Sequence, residues 1–402
     1  MVLPFPRYGA KMRVPPQIGI CSYITHFGHD VDWIIWSDHN CGKKSLLYNG
    51  VKIYAIREIQ FLPKNPTFLE IFNKIPNIII RAWFIVRIFN EGNYSLILVR
   101  DDAIDALTAY YIKKLYNVPF IFMLSNPLEQ EWEYFKIIPK KPYILYYMAH
   151  KFLYILGRQL LRKADLIIPI SKWLCSDLVA QGIPNDKIFP VSEGINTELF
   201  RYQDVRDITK TYNMDGSKVI IYVGTLSRGR NLEMLILAFS NVRALRDDLK
   251  LLIVGEGDDK ENLRRISCEL GIDDDVIFTG QASHTDVPRF IAASNIGISP
   301  IPPRSFFKIS SPIKMFEYMA MAKPVIANEE ILEHREVLEL SGGGILVQFK
   351  PERFADAIID LLDNPEKAAE MGQRGRNWIL SNRTYELMAR QLEIKLSDLN
   401  SL

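Results

Sequence analysis

Two oppositely charged residues, Lys314 and Glu317, stand in a segment whose pattern predicts the start of a helix. Ser311 is a typical N-cap, and Pro312 suits the first helical position, so the helix should begin there and end before Pro324. A cation at this end of a helix is unfavourable by up to about 1 kcal/mol unless an anion binds beside it. We therefore predict a diphosphate at Lys314 and ribose hydroxyls one turn further, at Glu317. A plain surface Lys–Glu pair is the alternative.

A second helix start repeats this pattern. Residues 219–223 are predicted to form a buried strand, Gly224 opens the following loop, and apolar residues at 232, 235, 236 and 239 mark the next helix. Arg228 and Arg230 would then crowd the N-terminus of that helix. Two cations after a glycine-containing turn favour a bound anion. Two solvated arginines are the alternative.

The composition describes a large protein without a dominant charge. Its length of 402 residues is greater than that of an ordinary domain with one hydrophobic core, which predicts two domains. Its hydrophobic fraction of 48% suffices for two buried sheets. The 49 Lys and Arg residues nearly balance the 47 Asp and Glu residues, which gives a formal charge of +2. This balance argues against a dedicated nucleic-acid-binding protein.

The cysteine and histidine patterns argue against a metal centre. The four cysteines, at positions 21, 41, 175 and 268, form no CxxC pair and are interpreted as free thiols of a cytosolic protein. The six histidines show neither HxxxH nor HExxH spacing, and no GxxxxGK[ST] loop occurs. We predict no metal site and no bound cofactor.

The chain shows no targeting or spanning segment. Its first residues lack the charged and apolar regions of a signal peptide, and no window holds about 20 uninterrupted apolar residues. The segment 143–161 is rich in Tyr and Leu and is flanked by Lys140, Lys141, Arg162 and Lys163. Such a helix could lie on an anionic membrane, or it could pack on a sheet.

The second half of the chain alternates strands and helices. Strands are predicted over residues 219–223, 250–254, 276–279, 296–299, 324–327 and 344–347. Buried strands that alternate with helices predict a parallel sheet covered on both faces, with a ligand at the carboxyl ends of the strands. The pair Gly255 and Gly257 is a weak signal for such a ligand, because glycines are common in strand-to-helix turns.

The first half follows the same plan less clearly. Strands are predicted over residues 1–5, 31–36, 51–56, 95–100, 119–124 and 164–170, and helices over 15–27, 67–90, 103–116, 142–163 and 172–181. A turn-rich break falls near residues 192–215. We predict an α/β protein of two doubly wound Rossmann-like domains that face a cleft, with domains at 1–192 and 193–380. The remaining residues, 381–402, should form a helix that packs back on the N-terminal domain.

Several ordered motifs in the second half resemble those of a known enzyme family. They include EGINTELF at 193–200, YVGTL at 222–226, LIVGEG at 252–257, VIFTG at 276–280, FEYMA at 316–320 and KPVIA at 323–327. The chain resembles a GT-B glycosyltransferase of the retaining family 4 group, also called glycosyl transferases group 1. The resemblance implies an acceptor-binding N-terminal domain and a C-terminal domain that binds a nucleotide-sugar donor.

The resemblance also implies roles for particular residues. Arg230 would grip the donor diphosphate, Glu317 would bind the ribose, and the backbone of Gly280 and Gln281 would face the base. The full donor set is Gly224, Thr225, Arg228, Arg230, Gly280, Gln281, Ser310, Ser311, Lys314 and Glu317.

The chain departs from the family pattern in three places. Thr225 stands where an arginine is usual, so the second diphosphate cation would be Arg228 or Lys314. Ile309 stands where a carboxylate is usual, which puts contacts to the transferred sugar in question. Ser125 and Asn126 stand on the acceptor side, where many members have a histidine.

The implied reaction transfers a sugar from a UDP- or GDP-sugar to a glycan, glycolipid or lipid-linked acceptor. Arg230 and Lys314 would neutralise the leaving diphosphate without a metal, and Asp101 would orient the acceptor. Transfer would retain the anomeric configuration, with the leaving diphosphate helping to deprotonate the incoming hydroxyl. The predicted location is the cytoplasm, and peripheral contact with the inner face of the cell membrane is left open. A nucleotide-sugar 2-epimerase and a non-catalytic sugar-nucleotide-binding protein are the alternatives.

Overall fold

The computed structural model describes residues 16–37, 45–57, 59, 69–128, 143–201 and 203–400. The chain divides into two compact units. The first combines Met1–Ser192 with Met388–Leu402, and the second is Glu193–Leu387. The strand predicted over residues 1–5 lies outside the described residues.

Among its described residues, the first unit contains two groups of three paired strands. Its strands are β1 (Asp32–Ser37), β2 (Leu46–Tyr48), β3 (Val51–Arg57), β4 (Ile97–Arg100), β5 (Phe120–Leu124) and β6 (Leu166–Pro169). Strands β4, β5 and β6 are parallel, as are β1 and β3, whereas β2 pairs with β3 in antiparallel fashion. Its helices are α1 (Pro16–His26), α2 (Leu69–Glu91), α3 (Ala103–Tyr116), α4 (Tyr143–Lys163) and α5 (Lys172–Ala180).

The second unit is built on one six-stranded parallel sheet. Its strands are β7 (Lys218–Val223), β8 (Leu249–Val254), β9 (Val276–Gly280), β10 (Ile296–Ser299), β11 (Val325–Asn328) and β12 (Gly344–Val347), in the order β12-β11-β10-β7-β8-β9. Its helices are α6 (Arg206–Thr211), α7 (Glu233–Arg243), α8 (Lys260–Glu269), α9 (Val287–Ala292), α10 (Ser305–Lys308), α11 (Ile313–Ala320), α12 (Leu332–Ser341), α13 (Pro351–Asp363) and α14 (Pro365–Asn382). The last helix, α15 (Tyr385–Asn400), runs from the second unit into the first.

Apolar cores lie on both faces of the six-stranded sheet. Alternate residues of β7 point to opposite faces, so Ile220 and Tyr222 belong to one buried cluster while Ile221 and Val223 belong to the other. The first cluster includes residues of α7 and α13, and the second includes residues of α9 and α11. The doubly wound arrangement predicted for this half of the chain is confirmed.

Helix α15 contacts the beginning of the chain inside the first unit. The guanidinium of Arg390 lies 5.0 Å from the ring centre of Phe27, and Glu393 Oε1 lies 3.3 Å from Nε2 of His29. In the described part of the chain, no helix is both long and apolar enough to cross a bilayer. Cys21, Cys175 and Cys268 are free thiols, while Cys41 lies outside the described residues.

Candidate functional site

Closely packed glycine loops form the carboxyl edge of the six-stranded sheet. Gly224 follows β7, Gly255 follows β8, and Gly280 ends β9. A Cβ atom on Gly255 would overlap the carbonyl oxygen of Gly224, so only glycine fits there. The N–H of Gly255 also donates to the carbonyl of Gly280 at 3.0 Å. The glycine at position 255, which was a weak signal for a ligand in the sequence, is therefore required by the close packing of loops at this edge.

Lys314 reaches this edge from the first turn of α11. Its Nζ lies 4.4 Å from the ring centre of Tyr222 and 3.0 Å from the position that a Cβ on Gly224 would take. The lysine thus places its charge against the turn that follows β7. Glu317, on the same helix, is 3% exposed, so it is not part of a solvent-exposed surface pair.

The start of α11 differs from the sequence prediction by one residue. The first helical residue is Ile313, and Pro312 takes the cap position with an extended backbone at φ −83° and ψ 97°. Ser311 is therefore not the N-cap, and its side chain makes no capping hydrogen bond to the helix. The backbone at Pro312 is too extended to continue a helical turn, which explains the later start.

The two arginines occupy a loop and not the first turn of a helix. They form a short 3-10 turn, Arg228–Arg230, whereas α7 begins at Glu233. The left-handed backbone of Asn231, at φ 49°, separates the two elements, so both arginines precede the helix and neither belongs to it. The guanidinium of Arg230 lies 4.6 Å from the ring centre of Phe307 in α10.

The arginine loop is nevertheless linked to the segment before α11. Ser310 Oγ donates to the carbonyl of Phe307 at 2.7 Å, so Arg230 and Ser310 contact the same residue. Burial raises the pKa of Asp259, and the nearby charge of Arg228 lowers it. The structure thus brings Arg230, Ser310 and Lys314 to loops at one edge of the sheet.

The residues predicted to face the base lie at the end of β9. A carboxylate oxygen of Glu256 lies 3.3 Å from the Cβ position of Gly280 and pairs with Lys260 Nζ at 3.0 Å. Gln281 follows with an exposed side chain, and Thr225, beyond Gly224, is also exposed.

A polar cluster in the first unit joins two of the predicted acceptor-side residues. Asp101 follows β4 with a left-handed backbone at φ 58°, and its Oδ1 accepts a hydrogen bond of 2.7 Å from the Ser125 backbone N–H. Its Oδ2 accepts from Ser125 Oγ, which also accepts from Arg100 Nε at 2.8 Å. Asn126 is exposed beside this cluster. A non-glycine residue in this conformation costs free energy, so the hydrogen bonds hold Asp101 in place against that cost.

Asp102 has a different role from its neighbour Asp101. Its Oδ1 accepts from the N–H groups of Ile104 and Asp105 at 2.8 and 2.9 Å and so caps α3. Its Oδ2 accepts from Arg81 at 2.8 Å, and Arg81 also pairs with the buried Asp105 at 2.5 Å. These contacts fix α3 to α2, which makes Asp102 structural.

Two buried titratable residues escaped the sequence analysis. Glu333 and His334 lie in the first turn of α12 and are 2% and 0% exposed. His334 Nε2 lies 3.0 Å from Ser299 Oγ, and its Nδ1 lies 3.0 Å from the carbonyl oxygen of Asn328. Both residues follow the carboxyl end of β11, and the rule that places ligands at such ends is the signal that could have found them.

The two residues should affect stability in opposite directions as the pH changes. Burial raises the pKa of Glu333 to about 7, against the charge of Arg383, and burial lowers the pKa of His334 to about 3. The folded chain therefore keeps the Glu333 proton at a pH where the unfolded chain loses it. The stability that comes from Glu333 is full below about pH 4.5 and declines as the pH rises towards 7. The stability that comes from His334 is instead lost as the pH falls below about 6.5.

We expect Glu333→Gln to remove the first of these effects. Urea denaturation at pH 5 and pH 8 would compare the free energy of unfolding of the variant with that of the wild type. The wild type should lose up to about 3 kcal/mol more than the variant between these values, because each pKa unit is worth about 1.4 kcal/mol. The His334 effect is common to both proteins and cancels in the difference. Parallel pH dependences would contradict this prediction.

Family models match most of the chain. The Glycosyl transferases group 1 model matches residues 205–378, and the Glycosyltransferase Family 4 model matches residues 20–199. Each model thus covers most of one unit.

Named relatives and a solved structure are similar to this chain. The GDP-mannose-dependent alpha-(1-6)-phosphatidylinositol monomannoside mannosyltransferase of Mycobacterium tuberculosis is 24% identical over 250 residues, which are 59% of this chain and 63% of the relative. This chain thus spans less than two thirds of that relative's length. An uncharacterized glycosyltransferase of Methanocaldococcus jannaschii is 23% identical over 347 residues, which are 83% of this chain and 81% of the relative.

A solved structure has a similar fold. The crystal structure of Anabaena HepE in complex with UDP and glucose matches with a TM-score of 0.73 at 14% sequence identity, over 98% of this chain and 99% of that chain. Its likeness extends over both units and agrees with the parallel sheets described above. Together with the two family models, it shows that this chain belongs to the GT-B glycosyltransferases of the group 1 kind.

Proposed function

We propose that this protein transfers a sugar from a nucleotide-diphosphate sugar to a hydroxyl of a glycan, glycolipid or lipid-linked acceptor. The observation that carries the proposal is the approach of Lys314 to Gly224. It sets a cation from the start of α11 against the backbone turn after β7, at the edge of the sheet where ligands of such folds bind. The second unit would bind the donor, and the first unit would bind the acceptor.

The main requirement of this reaction is to stabilise the negative charge of the leaving group. When the bond between the sugar and the β-phosphate breaks, the nucleoside diphosphate gains negative charge, which Lys314 and Arg230 would stabilise. Arg228 and the backbone at Gly224, Thr225, Ser310 and Ser311 would complete the diphosphate pocket. Glu317 would bind the ribose, and the backbone of Gly280 and Gln281 would contact the base.

The acceptor hydroxyl would be oriented by Asp101. This carboxylate is held by Ser125, which is in turn held by Arg100, and Asn126 is exposed beside them. We infer transfer with retention, in which the acceptor oxygen attacks from the side of the leaving diphosphate. The acceptor proton would pass to the β-phosphate oxygen released from the sugar.

Calorimetric titration with UDP, GDP, ADP and their sugar conjugates tests this proposal. The UDP complex of HepE and the GDP-mannose dependence named for the mycobacterial relative make uridine and guanosine donors the first choice. Micromolar binding of at least one conjugate is expected, and failure of all of them to bind would contradict the donor site. Incubation with the donor alone separates transfer from epimerisation, because only an epimerase changes the sugar without an acceptor. The transferases among the relatives favour transfer.

We expect transfer to be independent of divalent metal. The diphosphate charge would already meet Lys314 and Arg230, so a magnesium ion would compete with them for the same oxygens. With a donor and acceptor pair in hand, turnover should survive excess EDTA. Abolition by EDTA and recovery with magnesium or manganese would contradict the charge assignment.

The acceptor would be presented at an anionic membrane. Helix α4 contains no acidic residue, and its outer face exposes Met148, Phe152 and Ile155, at 61%, 62% and 49% exposure, beside the cations Lys151 and Arg162. An apolar stripe bordered by cations fits an interfacial helix at the inner face of the cell membrane. The flanking Lys140 and Lys141 lie outside the described residues. The free thiols agree with a cytoplasmic location.

We expect the protein to float with vesicles that contain anionic lipid and to be released by raised salt. Phe152→Ser combined with Lys151→Glu should abolish flotation, because it removes apolar area and reverses one charge. Leu245→Ser is the matched control, since Leu245 is 73% exposed in the second unit. Absence of flotation by the wild type at low salt would contradict this prediction.

A further inference from the structure

A buried pair of polar side-chain atoms lies beside the start of α11, next to the backbone assigned above to the diphosphate. Glu333 Oε1 pairs with Arg383 Nη2 at 3.0 Å, but Glu333 Oε2 is buried and has no hydrogen-bond partner among the described residues. Ser311 Oγ is also buried and lacks such a partner within the described part of the chain. Leaving polar atoms buried without partners costs free energy, so two such atoms in one place require an explanation.

The two atoms are close neighbours. Burial is the largest influence on the pKa of Glu333, and after Arg383 it is Ser311 that lowers this pKa. Glu336 and Glu193 raise it through their charges. Glu333 therefore lies near one guanidinium, one hydroxyl and two carboxylates, and the Ser311 hydroxyl approaches its carboxyl group without reaching the geometry of a full hydrogen bond.

The pair also lies close to the proposed diphosphate pocket. Ser311 is separated from the first helical residue of α11 by Pro312 alone, and Lys314 is in the first turn. The charge of Lys314 reaches His334, the neighbour of Glu333, where it adds to the larger effect of burial in lowering the pKa. In a sugar nucleotide, the sugar is bonded directly to the β-phosphate. A phosphate held at Lys314 would therefore bring the sugar next to Glu333 and Ser311.

We propose that Glu333 Oε2 and Ser311 Oγ bind a hydroxyl group of the sugar that is transferred. A sugar hydroxyl can donate to the carboxylate and accept from the serine at the same time, which satisfies both buried atoms. Because this contact would satisfy a buried polar atom, Glu333 would select sugars with a hydroxyl at that position. This inference rests on the proposed donor site and adds its sugar-binding part.

Calorimetry on Glu333→Gln tests the assignment with two probes, UDP and UDP-glucose, or GDP and GDP-mannose if the wild type prefers guanosine. The variant should bind the sugar nucleotide about ten- to a hundred-fold more weakly, while its affinity for the nucleoside diphosphate stays within about two-fold. Ser311→Ala should show the same selective loss to a smaller degree. Glu339→Gln is the matched control, because it makes the same change at an exposed position of α12 and should leave both affinities unchanged.

Two results would overturn the inference. Equal losses for the sugar nucleotide and the diphosphate would mean that Glu333 acts by supporting the start of α11, and unchanged affinities for both would mean that it does not contact the donor. Thermal unfolding of each variant separates these outcomes from a fold defect. A wild type that binds neither UDP nor GDP would instead contradict the proposed donor site, and the inference would fall with it.

Discussion

Replacing Lys314 or Arg230 by alanine should weaken donor binding by about 1.5–3 kcal/mol for each variant, the range for a hydrogen bond to a charged group. Such a loss corresponds to an affinity lower by about ten- to a hundred-fold. Lys314 lies against Gly224, and Arg230 lies over Phe307, so both cations are held at loops of the carboxyl edge. Calorimetric titration with the nucleoside diphosphate measures the loss directly, since the diphosphate carries the charge.

The control for these variants is Lys308→Ala. Lys308 ends α10 and is exposed, so its removal makes the same change in net charge without removing a proposed contact. It should bind the diphosphate as the wild type does. If both Lys314→Ala and Arg230→Ala also bind like the wild type, the two cations do not hold the diphosphate, and the donor site must be placed elsewhere.

The strands of the second unit could be predicted closely because each is a short apolar run buried on both faces. The predicted run at 219–223 differs from β7 by a single residue at its start. The first unit was harder, and β2 was missed. This strand has only three residues and lies at a sheet edge, so it lacks a buried run. Its turn nevertheless carries a hairpin signal, since Asn49 and Gly50 both adopt positive φ values, 45° and 82°.

The residues of the candidate site could be predicted where a local sequence pattern marks them, such as the start of a helix or the end of a strand. Lys314 and Gly224 were identified from a helix start and a strand end, and the structure places them side by side. Contacts that depend on packing between distant segments could not be predicted. The pairing of Glu333 with Arg383 joins residues 50 apart in the sequence, and Asp101 with Ser125 joins residues 24 apart. The sequence around each of these residues does not indicate which distant side chain or loop it contacts in the folded chain.

Asp101→Asn should lower turnover by about a hundred-fold or more, which is the lower range for loss of a group that handles a proton or orients a nucleophile. Asparagine tolerates the left-handed backbone found at Asp101 and keeps an oxygen that can accept from the Ser125 N–H. The substitution therefore removes the negative charge while the fold is preserved. Donor affinity should stay within about two-fold of the wild type, because the proposed donor contacts all lie in the other unit.

Asp102→Asn provides the comparison one residue away. Asp102 caps α3 and pairs with Arg81, so its replacement should lower the free energy of unfolding and leave turnover of the folded enzyme nearly unchanged. Asparagine caps helices about as well as aspartate, so the loss would come mainly from the buried Arg81, which would keep Asp105 but lose its charged partner at Asp102. Turnover and urea denaturation measured on both variants separate the two roles. If Asp101→Asn turns over as fast as the wild type, Asp101 is a structural residue, and the group that orients the acceptor hydroxyl must be sought elsewhere in the first unit.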